Sequence, residues 1–288
     1  MRVSLDALQS LTWPARRLAA GGRSGTQRST LRGRAPELSA YRAYRAGDDV
    51  RDLDWRLLAR SDRAWVRLSE DRAIHPTWFV LDATASMAFP VATQAKWRTA
   101  CALSEGLAFL AHKVGDPVGG CVVGGDARGG TVAPMSTRRD VVSAWRALLD
   151  GVVPGGTAPL APAVAAAPAG GRLVIVSDLL GDAAACRDAA NRWLVAGNDV
   201  IVLHLLSRAE WAPEGGRVVD PEDPGRERML GPGAAPAYAA ALAEWVREEE
   251  DWWVRRGAAF HRVVAEDDVV GAIRGVVGGR DPGDVGAR

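Results

Sequence analysis

Phe79-Val80-Leu81-Asp82-Ala83-Thr84-Ala85-Ser86-Met87 sets an apolar run, led by Trp78, directly against a carboxylate and then two hydroxyls at alternate positions. Two later stretches match it. Gly155-Gly156-Thr157 is a glycine-rich turn ending in a hydroxyl, and Leu173-Val174-Ile175-Val176-Ser177-Asp178 is a second apolar run ending in an acid. Apolar runs of this length, separated by helical patterns, predict the buried parallel strands of an α/β sheet. Such sheets build their sites in the loops at the carboxyl ends of the strands. Asp82, Thr84, Ser86, Thr157 and Asp178 all fall in such loops. Carboxylate and hydroxyl oxygens without histidine or cysteine suit a hard divalent cation, Mg²⁺ or Mn²⁺.

The order Asp-x-Thr-x-Ser, then Thr, then Asp resembles the metal-ion-dependent adhesion site (MIDAS) of von Willebrand factor type A domains, with Thr84 where that family usually has Ser. The resemblance implies a Rossmann-like, three-layer domain with a mostly parallel central sheet. It also implies Thr84 and Ser86 as direct ligands, Thr157 as a direct or water-bridged one, and Asp82 and Asp178 as holders of the bound waters. A sixth position would be left for an acidic side chain of a partner. Such a site serves protein–protein binding rather than chemistry.

Upstream, Tyr41-Arg42-Ala43-Tyr44-Arg45-Ala46-Gly47-Asp48-Asp49-Val50-Arg51-Asp52-Leu53-Asp54-Trp55 continues through Arg60. This segment is similar to the core of the bacterial family called domain of unknown function 58, with Leu53 in place of the usual Ile. The family signature would include Tyr44, Gly47, Asp48, Asp49, Arg51, Asp54, Trp55 and Arg60. The alternating charges predict an ion-pair knot, with Arg51 bidentate to a carboxylate and Trp55 packed beneath, serving structure or partner binding. The resemblance further implies a MoxR-type AAA+ ATPase as partner, because members are often encoded beside one.

The pattern divides the chain into a small Arg-rich lead-in with short strands over 1–75, a type A-like domain over 76–280 and a tail over 281–288. A helix is expected over 5–20 with Pro14 interrupting it, and a strand over 64–68. In the second part, strands are expected over 77–81, 118–123, 131–134, 172–177, 199–205 and 260–264. Helices are expected over 93–114, 137–149, 160–167, 183–195, 235–256 and 267–277. The helix at 137 would open on Ser136 or Thr137 with Asp140 as a capping box. Residues 207–233 read as a long loop with up to two short strands.

Composition narrows the function classes. The formal net charge is +1, which exerts no global pull on nucleic acid or acidic membranes. The first 63 residues carry 13 Arg, but 7 acids interleave with them, and no nucleic-acid-binding motif appears. No run is long enough to span a membrane, and the start lacks an apolar signal core. Three widely spaced cysteines argue for free thiols and a cytoplasmic location. The four histidines show no ligand spacing. Adjacent Trp252 and Trp253 cannot share one helix face, so one of them is a candidate partner-binding residue.

The expected function is therefore a non-enzymatic, Mg²⁺-dependent interaction module, an adaptor for the ATPase in protein maturation or complex assembly. An alternative is a haloacid-dehalogenase-like phosphohydrolase with Asp82 as nucleophile. It is disfavoured because position 84 lacks the second acid and because Lys96 and Lys113, the only lysines, lie on the first helix. A metal-free structural scaffold is the third reading.

Overall fold

Seven consecutive buried residues form the central strand of the molecule, β3 (Thr77–Ala83), and the rest of the main unit is arranged around it. The structure is a computed structural model that describes residues 3–14, 40–45, 53–61, 63–68, 74–125, 131–213, 215–223, 225–231 and 233–278. It divides into one unit of Met1–Arg23 with His75–Arg288 and a second of Ser24–Ile74.

In the smaller unit, β1 (Ala40–Ala43) pairs antiparallel with β2 (Trp65–Leu68), and α1 (Trp55–Ser61) lies between them in sequence. The buried Asp54 carboxylate caps α1, its Oδ1 accepting from the N–H groups of Arg56 and Leu57 at 3.0 Å each. This signature acid is thus a helix cap. Asp54→Ala is expected to cost about 1 kcal/mol, read by urea denaturation, with Asp54→Asn recovering most of it. Trp55 does not pack beneath an ion-pair knot: it is 60 % exposed, because the first turn it opens points its ring outward. Tyr44 and Arg60 are also exposed. Gly47, Asp48, Asp49 and Arg51 lie outside the described residues.

The main unit carries a six-stranded sheet in the order β10-β7-β6-β3-β4-β5. Its strands are β3, β4 (Val118–Gly124), β5 (Thr131–Ser136), β6 (Arg172–Ser177), β7 (Asp199–Leu206) and β10 (Ala259–Val264). All neighbours run parallel except the edge strand β5, which returns antiparallel to β4. The chain is therefore a mixed α/β protein with a mostly parallel sheet, as expected. Because strand side chains alternate, β3 feeds two cores. Phe79 and Leu81 face a layer of α2 (Ala95–Lys113), α3 (Val141–Asp150) and α8 (Val269–Gly278), while Trp78 and Val80 face α4 (Ala161–Ala166), α5 (Ala183–Val195) and Trp253 of α7 (Ala234–Arg255).

Two glycines allow close approach. At Gly120, a Cβ would lie 2.6 Å from the Phe79 carbonyl oxygen and 2.8 Å from the Trp145 ring, so only glycine lets α3 sit on β4. Gly124, at φ +92°, passes against the backbone of Ala83 and Thr84, where a Cβ would be 2.8 Å from the Thr84 nitrogen.

Three expectations are corrected. The first residues do not form a helix to residue 20 among those described: a single 3-10 turn spans Leu5–Leu8, and Leu8 and Trp13 are buried in the core beside α2 and α8. The helix expected at 137 starts at Val141, because the Ser136 hydroxyl is taken by the Arg138 N–H at 3.1 Å and the Asp140 carboxylate pairs with the Arg138 side chain. In the 207–233 segment the two short strands allowed for are present as an antiparallel hairpin of β8 (Gly216–Val219) and β9 (Glu227–Leu230), and the correction is the short helix α6 (Arg208–Trp211) ahead of them. Among the described residues no helix is long and apolar enough to cross a membrane.

Candidate metal centre at the sheet rim

The carboxyl ends of β3 and β6 lie side by side, with Leu81 paired to Val176, so Asp82 and Asp178 emerge from adjacent strands. Both are almost wholly buried. The Thr84 N–H donates to Asp82 Oδ1 at 2.9 Å, and the Ser177 hydroxyl donates to Asp82 Oδ2 at 2.6 Å. Thr84 and Ser86, also buried, hold their hydroxyl oxygens 3.1 Å apart. Adjacent ligands of an octahedral Mg²⁺ are separated by about 3.0 Å when each metal–oxygen bond is about 2.1 Å. The two hydroxyls are hydrogen-bonded to each other at the start of the tight 3-10 turn Ala85–Ala88, at a spacing close to that coordination edge.

The third loop is tied to the first by backbone bonds. Gly155 N–H donates to the Ala83 carbonyl, Ala85 N–H donates to the Gly156 carbonyl, and Gly125 N–H donates to the Gly155 carbonyl. Thr157 thus follows a turn fastened to the Asp82 loop, and its side chain is exposed. A small cleft opens here, lined by Asp82, Thr84, Leu160, Leu179, Asp182 and Glu222 among others.

Two acids crowd this rim. Burial, and then the neighbouring Asp178 carboxylate, push the Asp82 carboxyl up to about 7, against the pull of its hydrogen bonds from Ser177 and Thr84. Desolvation and a like charge both disfavour the ionised form. The donor set of two hydroxyls, two carboxylates and an adjacent threonine loop fits a hard ion. Among the described residues no cluster of three or more His, Cys, Asp or Glu side chains could hold a metal, so the hydroxyls are indispensable to any such site.

Sequence reasoning missed three residues. Ser177 stands directly before Asp178 and reads as the end of a strand, yet it is the hydroxyl that orients Asp82. Lys96, dismissed as a residue of the first helix, is completely buried, with its ammonium 2.6 Å from Asp178 Oδ2 and 2.7 Å from Glu210 Oε1. Burial works against that charge, but the two carboxylates outweigh it and hold Lys96 above the ordinary lysine range. Glu210 also closes a capping box on α6 with Ser207. The sequence signal for Lys96 was its rarity, one of two lysines among 36 basic residues.

Other candidates fall outside the site. His204 is buried, its Nε2 paired with the Asp178 carbonyl oxygen at 2.9 Å, and burial pulls its pKa down to about 4, so it is neutral and fixes the backbone of the Asp178 loop. Burial pushes the Cys121 thiol up to about 11 and those of Cys101 and Cys186 up to about 12, marking them as unreactive packing. Trp253 is fully buried, and Trp252 is half-buried with the Arg256 guanidinium 4.0 Å above its ring.

The fold and rim define the class, a parallel-sheet α/β protein with an oxygen-rich centre at the strand carboxyl ends. Residues 40–232 match the family described as protein of unknown function DUF58, and the chain belongs to that family. Uncharacterized protein Rv1480 of Mycobacterium tuberculosis and Mb1516 of Mycobacterium bovis are each 32 % identical to it over 134 residues, or 46 % of this chain. The match spans only 41 % of those relatives' length. Among solved structures, the conserved hypothetical protein BatB of Bacteroides thetaiotaomicron is similar at 18 % identity and TM-score 0.41, covering 71 % of this chain and 98 % of that one. The VWA domain of SpRpn10 is similar at 10 % identity and TM-score 0.38, covering 69 % and 93 %.

Proposed function

We propose that this protein is a non-enzymatic interaction module that docks an acidic side chain of a partner through a divalent cation, Mg²⁺ or Mn²⁺, held at the sheet rim. The observation that carries this reading is the buried Thr84–Ser86 hydroxyl pair beside the Asp82 and Asp178 carboxylates. Thr84 and Ser86 would hold the ion directly, Thr157 directly or through water, and Asp82 and Asp178 through water. When bound, the ion supplies an electrophilic coordination position open to a carboxylate. The chain's own residues orient the donors: Ser177 fixes Asp82, His204 fixes the Asp178 backbone, and the glycine turn closes over the Asp82 loop.

For the partner we propose a MoxR-type AAA+ ATPase, with the protein acting as its adaptor in maturation or assembly. We place both in the cytoplasm, which suits the three free thiols. Pull-down of that ATPase should be at least tenfold stronger with Mg²⁺ than with EDTA, and should be lost in Asp82→Ala and Ser86→Ala. Binding indifferent to all three changes would remove the cation-bridged mechanism.

One observation favours a second reading. Lys96 already supplies a positive charge to Asp178, as a metal-free scaffold requires. Calorimetry with Mg²⁺ separates the two, since a scaffold gives no binding heat. The same lysine removes one objection to a phosphohydrolase. Against that chemistry, both Asp82 oxygens are held by hydrogen bonds from Thr84 and Ser177. Turnover of a generic phosphate ester, lost in Asp82→Asn, would revive it.

A further inference from the structure

The Lys96 ammonium does more than neutralise one acid. It is carried by α2, which follows β3, and it contacts Asp178, which follows β6, and Glu210, which follows β7. A single buried charge therefore ties the exits of three neighbouring parallel strands. Its acceptors have their other atoms engaged. Asp178 Oδ1 accepts from Leu180 N–H at 3.1 Å, and Glu210 Oε2 accepts from Ser207 N–H at 2.7 Å. Lys96 is thus held in place from both sides and has no exposure to solvent.

Charge balance gives this arrangement a consequence. Asp178 and Glu210 set two acids against one ammonium, and Asp82 stands as a third beside Asp178, so the cluster holds more acidic groups than its single lysine can balance, a deficit of positive charge. Remove the ammonium and the deficit grows, while Asp178 Oδ2 loses its partner and becomes available to a cation or to its water. Remove Glu210 instead and the deficit shrinks, while Lys96 is left to Asp178 alone. Lys96 and a divalent ion would therefore draw on the same carboxylate.

We propose that Lys96 is the affinity-setting residue of the rim, an internal cation that competes with the divalent ion for Asp178 and keeps the ion weakly held until a partner's carboxylate completes its shell. This inference rests on the cation-dependent reading above and specifies its regulation. Lys96 acts through Asp178 and is a positioning residue, not a ligand.

The test uses the full-length chain and MgCl₂ alone, by isothermal titration calorimetry and by thermal unfolding with and without the ion. Lys96→Met should bind Mg²⁺ at least tenfold more tightly than wild type and should gain more thermal stability from it. Glu210→Gln should shift the other way, at least threefold weaker. Lys96→Met binding no tighter than wild type overturns the proposal. If Lys96→Met does not fold, Glu210→Gln decides: weakened binding supports the proposal and unchanged binding overturns it. Wild type that binds Mg²⁺ and loses it in Ser86→Ala, with Lys96→Met equal to wild type, sinks this inference alone. Folded proteins that all fail to bind sink the cation-dependent reading with it. Binding that appears only in Lys96→Met supports the competition and assigns the resting charge to lysine.

Discussion

Trp13→Ala is expected to lower the stability of the main unit by about 3–5 kcal/mol, the range for removing a buried aromatic side chain. Trp13 is 3 % exposed and belongs to the same core as Leu103, Leu107 and Ile273. Its ring also lies 3.8 Å beneath the guanidinium of Arg172, which is itself buried at the start of β6. Arg172 donates to Thr77 Oγ1 at 3.1 Å and to the carbonyls of Trp13 and Pro14 at 3.3 Å each. Burial depresses its pKa despite the pull of Asp116 and Asp199. Deleting the ring leaves a cavity and admits water to a charge whose position depends on that stack. Urea denaturation should show a lower midpoint with an unchanged slope. Trp13→Phe, which keeps a ring over Arg172, should recover more than half of the loss. A substitution that left the midpoint in place would mean that the first fourteen residues do not belong to this core.

That segment also shows where the sequence stops being legible. The strands β3, β6 and β7 are buried on both faces, so they read as long apolar runs, broken in β7 by His204, whose ends are marked by Asp82, Asp178 and Ser207. The helices α2, α5 and α7 repeat apolar residues at helical spacing and were placed within a few residues. The opening segment has no period to read. Leu8 and Trp13 reach the core from a short 3-10 turn and a stretch without regular structure, and their burial depends on α2 and α8, which are remote in sequence.

The candidate site divides in the same way. Asp82, Thr84 and Ser86 are local, two residues apart on one turn, so their grouping could be read directly. Lys96 and Glu210 are 114 residues apart and meet only because parallel strands bring their following loops to one edge. A lysine at the second position of a helix reads as solvated, and nothing nearby in sequence announces that β6 and α6 will bury it. Trp55 fails for the opposite reason: an aromatic within a charged signature suggested packing, while Asp54 spends the local geometry on capping a helix.

Asp82→Asn should stabilise the protein in EDTA above pH 7 and abolish its response to magnesium. Asparagine keeps an oxygen for the Thr84 N–H and offers Ser177 a donor in place of an acceptor. What disappears is a buried charge beside Asp178. The sign follows from linkage. The folded-state pKa, about 7, lies above the unfolded value of 3.8, so between these values the folded protein holds a proton that the unfolded chain has released. Stability from this group is present below about pH 4 and falls by about 1.4 kcal/mol per pH unit as pH rises toward 7. The stability of the variant relative to wild type should therefore be near zero at pH 4 and should grow to about 2–4 kcal/mol at pH 8, a range set by the two pKa values. His204 contributes the opposite slope, since its folded pKa near 4 lies below the ordinary 6.5, but it is present in both proteins and cancels in the difference. Denaturant titrations from pH 4 to 8 read that difference directly. Millimolar Mg²⁺ at pH 8 should then stabilise wild type and leave the variant unchanged. A carboxylate that weakens the fold until a cation arrives is a residue kept for binding rather than for stability. A variant less stable than wild type at every pH would instead make Asp82 a structural acid and take the electrostatic case for a cation with it.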